Sequence, residues 1–131
     1  MAEKVIAAIS TPCAPGGIGV IRISGPGAIE TADRLFRPVS GEPLCSRKGY
    51  TAAFGSVWDD AGPVDDVIAT VFRGPKSYTG EDVVELSCHG GLLVCRRVLR
   101  EALKAGASLA GPGEFTKRAF LNGKLSLTEA E

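Results

Sequence analysis

The 131-residue chain has no surplus of either charge, because 15 basic side chains stand against 15 acidic ones. That balance excludes a polyelectrolyte tail and removes the bulk attraction on which stand-alone nucleic-acid binders rely. Aromatic residues are 6% of the chain, too few for a surface that stacks single-stranded RNA. With one histidine, His89, any Ser-His-Asp or Cys-His site has to be built around that residue, and no nucleophile elbow accompanies it. The four cysteines, Cys13, Cys45, Cys88 and Cys95, make no CxxC pair and read as reduced thiols, partly within apolar runs. The longest uncharged stretch, Val5 to Ile21, is broken by Pro12, Pro15 and Gly16-Gly17, so it is neither a membrane span nor a signal core. These absences predict a soluble protein that is not exported.

What the chain does have is 44% hydrophobic residues and a length that buries about 68–70% of the unfolded surface in a single core. Gly and Pro clusters at Pro15-Gly16-Gly17, Gly25-Pro26-Gly27 and Gly111-Pro112-Gly113 punctuate it into short elements. β-Branched runs predict strands at Val5 to Ile9, Ile18 to Ser24, and Val83 to Cys88. Tyr50 to Trp58 and Val64 to Phe72 flank the turn residues Asp59 to Pro63 and predict a hairpin. A first helix is predicted from Ile29, Ala32, Leu35 and Phe36, ending before Pro38, with Glu30–Arg34 and Asp33–Arg37 as i,i+4 pairs. A loop follows over residues 38–48.

Leu92, Cys95, Val98, Leu99, Ala102 and Leu103 form the clearest helical stripe, closed by Gly106, with Arg96, Arg97, Arg100 and Lys104 as its solvated side. A short strand at Ser108 to Ala110 and a helix at Glu114 to Leu121 complete the order β-β-α-β-β-β-α-β-α. This order predicts an α+β domain: a mixed sheet with helices packed on one face and a ferredoxin-like β-α-β-β-α-β core embedded in it. Thr128-x-x-Glu131 opens a helix signal that no apolar run follows, so the chain is expected to be cut at the entry to a further domain, with residues 1–122 as one unit and 123–131 as the start of the next.

Few residues suggest chemistry. The Gly16 to Gly19 loop leads into a strand rather than a helix, and no Walker loop is present, so neither reads as a phosphate cradle. Cys88 and His89 point to opposite sides of a strand and make no metal site with Cys95. Two charges do stand out, Arg22 within Val20-Ile21-Arg22-Ile23 and Glu85 within Val83-Val84-Glu85-Leu86. A charge in an apolar strand is costly unless paired or solvated. The residues leave three readings open: a structural salt bridge, outward-facing positions, or a polar pocket for a flat ligand.

Four segments, read together, carry a resemblance: Ile18-Gly-Val-Ile-Arg-Ile-Ser-Gly25, Ser77-Tyr-Thr-Gly-Glu-Asp-Val-Val-Glu-Leu86, His89-Gly-Gly91 and Pro112-Gly-Glu-Phe-Thr-Lys-Arg-Ala-Phe-Leu-Asn-Gly-Lys-Leu125. They resemble the N-terminal part of the MnmE (TrmE) family of tRNA modification GTPases, from about Val5 to the end of the chain. Ser126, where the family commonly has Asp, is a departure that bears only on the entry to its helical domain.

The resemblance implies a fold similar to the folate-binding part of aminomethyltransferases and a domain that binds a tetrahydrofolate derivative (5-formyl- or methylene-tetrahydrofolate) and joins two subunits as a homodimer. It implies folate contacts at Arg22, Glu85 and Lys124, with a further basic contact from a C-terminal region. The whole protein would be cytoplasmic and would work with MnmG (GidA) to place an aminomethyl-type group on C5 of the tRNA wobble uridine, position 34. GTP, potassium and magnesium would belong to a G domain that this chain lacks. The competing expectations are a free-standing folate-dependent one-carbon transferase and an RNA-binding module on Arg96, Arg97, Arg100 and Lys104.

Overall fold

Side chains alternate along the central strands, apolar to one side and polar to the other, and this period of two decides how the layers stack. The computed structural model describes residues 4–11 and 17–123. Among these, β1 (Ile6–Thr11), β2 (Gly19–Ser24), β3 (Phe36–Pro38), β4 (Thr51–Asp59), β5 (Gly62–Phe72), β6 (Val83–Cys88) and β7 (Ser108–Leu109) form one seven-stranded sheet in the order β3-β4-β5-β6-β2-β1-β7. All neighbours are antiparallel except β1 and β7, which run parallel, so the sheet is mixed. With α1 (Ala28–Asp33), α2 (Leu92–Lys104) and α3 (Glu114–Leu121) the architecture is α+β, as the pattern of elements predicts.

Ile21, Ile23, Val84, Leu86, Val67, Ala69, Val71 and Val57 project to one side of the sheet and are completely buried. They form one core with Ala28, Ile29 and Ala32 of α1 and Cys95, Val98 and Ala102 of α2, so these two helices cover that face. Removing these side chains from water drives the assembly, at about 25 cal/mol per Å² of apolar surface. Leu92, assigned to the helical stripe, is 45% exposed, because it opens the first turn of α2 beyond the edge of the core.

The first helix is shorter than its periodicity predicts. It ends at Asp33, where Arg34 and Leu35 donate backbone bonds to Thr31 and Ala32, and Phe36 passes into β3. Phe36 pairs with Val57 across the ladder and keeps only 3% of its surface exposed. Gly55 makes this approach possible: a Cβ there would lie 2.3 Å from the Arg37 carbonyl oxygen and 2.6 Å from Phe36 Cζ. Neither predicted helical ion pair forms. The Asp33 carboxylate accepts the Leu44 and Cys45 N–H groups, fastening a 3-10 turn at Leu44–Ser46 inside the predicted loop. Arg37 stacks on Trp58 at 4.2 Å, and Arg34 donates to the Ala105 carbonyl. Each of these partners lies far away in sequence, where helical spacing carries no information.

On α2, Arg97 donates through Nε and Nη2 to Asp59 Oδ2 at 3.1 and 2.8 Å, clamping the helix to the β4–β5 turn. These bonds hold the Asp59 carboxyl below the usual carboxylate range. A depressed folded-state pKa contributes stability that is present above the unfolded value, about 3.9, and is lost as pH falls through the folded one. Between neutral pH and pH about 3, the urea midpoint of the native chain is therefore expected to fall further than that of Asp59→Asn. Equal falls would show that the clamp has no part in acid sensitivity.

Candidate functional site

Arg22 sits in the middle of the sheet, on the face that α1 and α2 leave uncovered. The register places Ala8 of β1 on one side of it and Glu85 of β6 on the other. Two charges that looked anomalous in their separate strands are thus direct cross-strand neighbours. Arg22 Nε donates to Glu85 Oε2 at 2.9 Å, and their side chains remain 20% and 26% exposed. The two residues are paired and face outward, and Arg22 also borders a cavity. Lys124 lies outside the described residues.

The guanidinium is framed by two rings, Tyr78 at 4.9 Å and Phe115 at 5.3 Å from its central carbon. Tyr78 belongs to the segment between β5 and β6, and Phe115 to the first turn of α3. The Tyr78 hydroxyl shares a 3.0 Å hydrogen bond with the Thr116 hydroxyl, which ties the two walls together. Gly113, which precedes α3, closes the Gly111-Pro112-Gly113 turn with a φ of 68°, while Glu114 Oε1 accepts the Gly111 N–H. α3 therefore meets the Arg22 face of the sheet, whereas α1 and α2 meet the other.

Below the rings is a cavity of about 250 Å³, bounded by Ala8, Ser10, Arg22, Gly111 and Thr116 among others. Pockets that enclose a drug-sized ligand are about 300–1,000 Å³, so this one has room for a ring system but not for a long molecule. Glu85 stands outside it, across Arg22.

The site's hydrogen-bonding capacity is largely unspent. Among the described residues, Arg22 Nη1 and Nη2 find no acceptor and Glu85 Oε1 receives no donor. A planar cation with two open donor groups, a carboxylate with an open oxygen and aromatic walls suit a flat heterocycle that presents N–H donors and carries an anionic group. Among the described residues, no nucleophile hydrogen-bonded to an adjacent base is part of this arrangement. His89 is exposed at the end of β6, its ring Nδ1 3.3 Å from the Asp66 carbonyl oxygen. Among the described residues no group of three or more His, Cys, Asp or Glu side chains could hold a metal. Cys88 and Cys95 are core residues.

Sequence reasoning singled out Arg22 and Glu85 but missed Tyr78 and Phe115. The available signal was two aromatic residues, each among polar neighbours, Ser77-Tyr78-Thr79 and Glu114-Phe115-Thr116, in segments already marked by the resemblance. The basic side of α2, read as a solvated face with RNA binding as an alternative, is partly occupied, because Arg97 pairs with Asp59 and Lys104 pairs with Glu101 and Asp60. Among the described residues no helix is long and apolar enough to cross a membrane.

Comparison with known proteins agrees with these motifs. The family model described as GTP-binding protein TrmE N-terminus matches residues 5–124. A tRNA modification GTPase MnmE from Symbiobacterium thermophilum is 58% identical over 132 residues, covering 100% of this chain and 29% of that protein. The proteins of the same name from Carboxydothermus hydrogenoformans and Chlorobaculum tepidum are 53% and 54% identical, covering 100% and 96% of this chain. The chain spans 27–29% of the length of these three curated relatives.

Proposed function

Because the chain belongs to the TrmE N-terminal family, we propose that it is the tetrahydrofolate-binding and dimerising part of a longer tRNA modification GTPase. The observation that carries the folate reading is the Arg22–Glu85 pair, with its unspent donors and acceptor beside aromatic walls. A pterin presents a ring N–H and an amino group side by side, and the Glu85 carboxylate accepts from both. Arg22, through Nη1 and Nη2, and Lys124 offset the charge of the glutamate tail. The bound folate supplies a one-carbon unit; this chain binds and orients it.

The same face supports dimerisation. Phe54, Ile68, Ser87 and Val20 form one cross-strand row beside Arg22 and Glu85, and Phe54 and Ile68 are 56% and 39% exposed. Exposed apolar side chains such as Phe54 and Ile68 on a sheet face are the kind of surface a second copy covers. Sedimentation of the native chain is expected to give a dimer and of Phe54→Glu a monomer, and a monomeric native chain at high concentration would reject this interface.

In the longer protein the remaining sequence supplies the G domain with its GTP, potassium and magnesium, and the protein works with MnmG (GidA) in the cytoplasm to modify C5 of the tRNA wobble uridine, position 34. The folate reading is tested by calorimetric titration of 5-formyl-tetrahydrofolate into the chain. Saturable binding supports it. Turnover of a one-carbon folate by the chain alone would favour a free-standing transferase.

A further inference from the structure

We propose that Arg118 and Glu81 are positioning residues for the ligand site, their buried ion pair holding Tyr78 and Phe115 in place around Arg22. The inference rests on the reading of that site as a ligand pocket. Arg118 lies one turn beyond Phe115 on α3, and the side chains of Arg118 and Glu81 are only 5% and 9% exposed. Arg118 Nη1 donates to the Lys4 carbonyl at 2.7 Å and to Glu81 Oε1 and Oε2 at 3.2 and 3.3 Å. Its Nη2 donates to Glu114 Oε2 at 3.2 Å. One guanidinium thus joins the segment leading into β1, the Tyr78 loop and the first turn of α3.

The link continues to the strand that carries Arg22. Ser24, two residues along β2, donates through Oγ to Glu81 Oε1 at 2.9 Å and lies 2.8 Å from the Thr79 hydroxyl. Thr79 is fully buried and adjoins Tyr78. Asn122, at the end of α3, donates to the Thr79 carbonyl at 2.9 Å. The loop bearing one wall and the helix bearing the other are therefore fastened to the same strand by a connected set of polar bonds.

Among the described residues, α3 buries few apolar side chains. Its buried residues are Arg118 and Ala119, while Phe120 and Leu121 are 38% and 63% exposed. Apolar burial is non-directional, whereas a fork of hydrogen bonds fixes an angle. Replacing a buried ion pair by apolar residues is often neutral for stability, so stability alone does not require this pair. Its distinct effect is geometric, on the orientation of Phe115 and Tyr78.

The test uses the paired replacement Glu81→Leu with Arg118→Met, which removes both charges of the pair together. The folded double variant is expected to bind 5-formyl-tetrahydrofolate about tenfold or more weakly. In its background, Tyr78→Ala should have little further effect, since the wall is already displaced. NMR contacts between the Tyr78 and Phe115 rings and the Arg22 side chain should disappear in the variant, with or without ligand. Unchanged affinity and ring contacts, or a full additive effect of Tyr78→Ala, would overturn the proposal. If the native chain does not bind the folate, the site is completed only in the longer protein, and the ring contacts by themselves decide the positioning role. Should the double variant not fold, Arg118→Lys carries the same comparison, because one ammonium on a shorter reach cannot serve Lys4, Glu81 and Glu114 together.

Discussion

Glu85→Ala is expected to weaken 5-formyl-tetrahydrofolate binding by about 100-fold or more while leaving the fold intact. Each hydrogen bond to a charged group contributes about 1.5–3 kcal/mol, and the proposed pterin contact uses two. The fold, by contrast, gains little from Glu85. Its carboxylate is a quarter exposed and its partner Arg22 one-fifth exposed, and ion pairs of that kind contribute about 0–1 kcal/mol. Parallel calorimetric titrations of the native chain and the variant check the first statement, and urea unfolding checks the second. Equal affinity would remove Glu85 from the pocket. Loss of binding together with a large loss of stability would make its role structural. No binding by either chain would assign completion of the site to the rest of the longer protein and leave this part chiefly a dimeriser.

Leu86→Ala, one residue further along β6, is expected to do the reverse. Leu86 points to the opposite face, is fully buried, and lies between Ile21 and Ala69 in the ladder. Truncating a buried Leu removes transfer free energy and leaves a cavity that a paired sheet and two helices cannot collapse around. The expected cost is about 2–5 kcal/mol. Folate affinity, measured under conditions where the variant is still folded, should stay within about threefold of the native value, since the ligand face keeps its backbone register. A loss of stability below about 1 kcal/mol would place Leu86 outside the tightly packed core. The two substitutions together use adjacent residues to separate the work of the two faces.

Much of the fold is legible from pattern. Ile18 to Ser24 and Val83 to Cys88 read as strands from β-branched runs and lie on β2 and β6. Glu114 to Leu121 is a helix with the predicted limits. The reading goes wrong at residues 34–38, where a helical stripe continues into Leu35 and Phe36. The chain leaves the helix there because Phe36 gains a strand partner in Val57 and a glycine surface in Gly55, both about twenty positions away.

Arg22 and Glu85 were visible because a charge interrupts an apolar strand and such an interruption requires compensation. Tyr78 and Phe115 were not. An isolated aromatic residue among polar neighbours carries no periodic signal, and their relation to Arg22 exists only once α3 has been seated through Arg118.

By itself, then, the sequence determined the alternation of faces, the α+β class and the family, because strand and helix periods and contiguous motifs are local properties. It also determined that Arg22 and Glu85 needed an explanation. Only the tertiary structure decided that they are cross-strand neighbours, that two helices cover one face while α3 meets the other at Arg22, and that aromatic walls stand around the arginine. Strand register and helix seating are set by contacts between segments remote in sequence, and the free energy that selects them appears only when those segments are packed together.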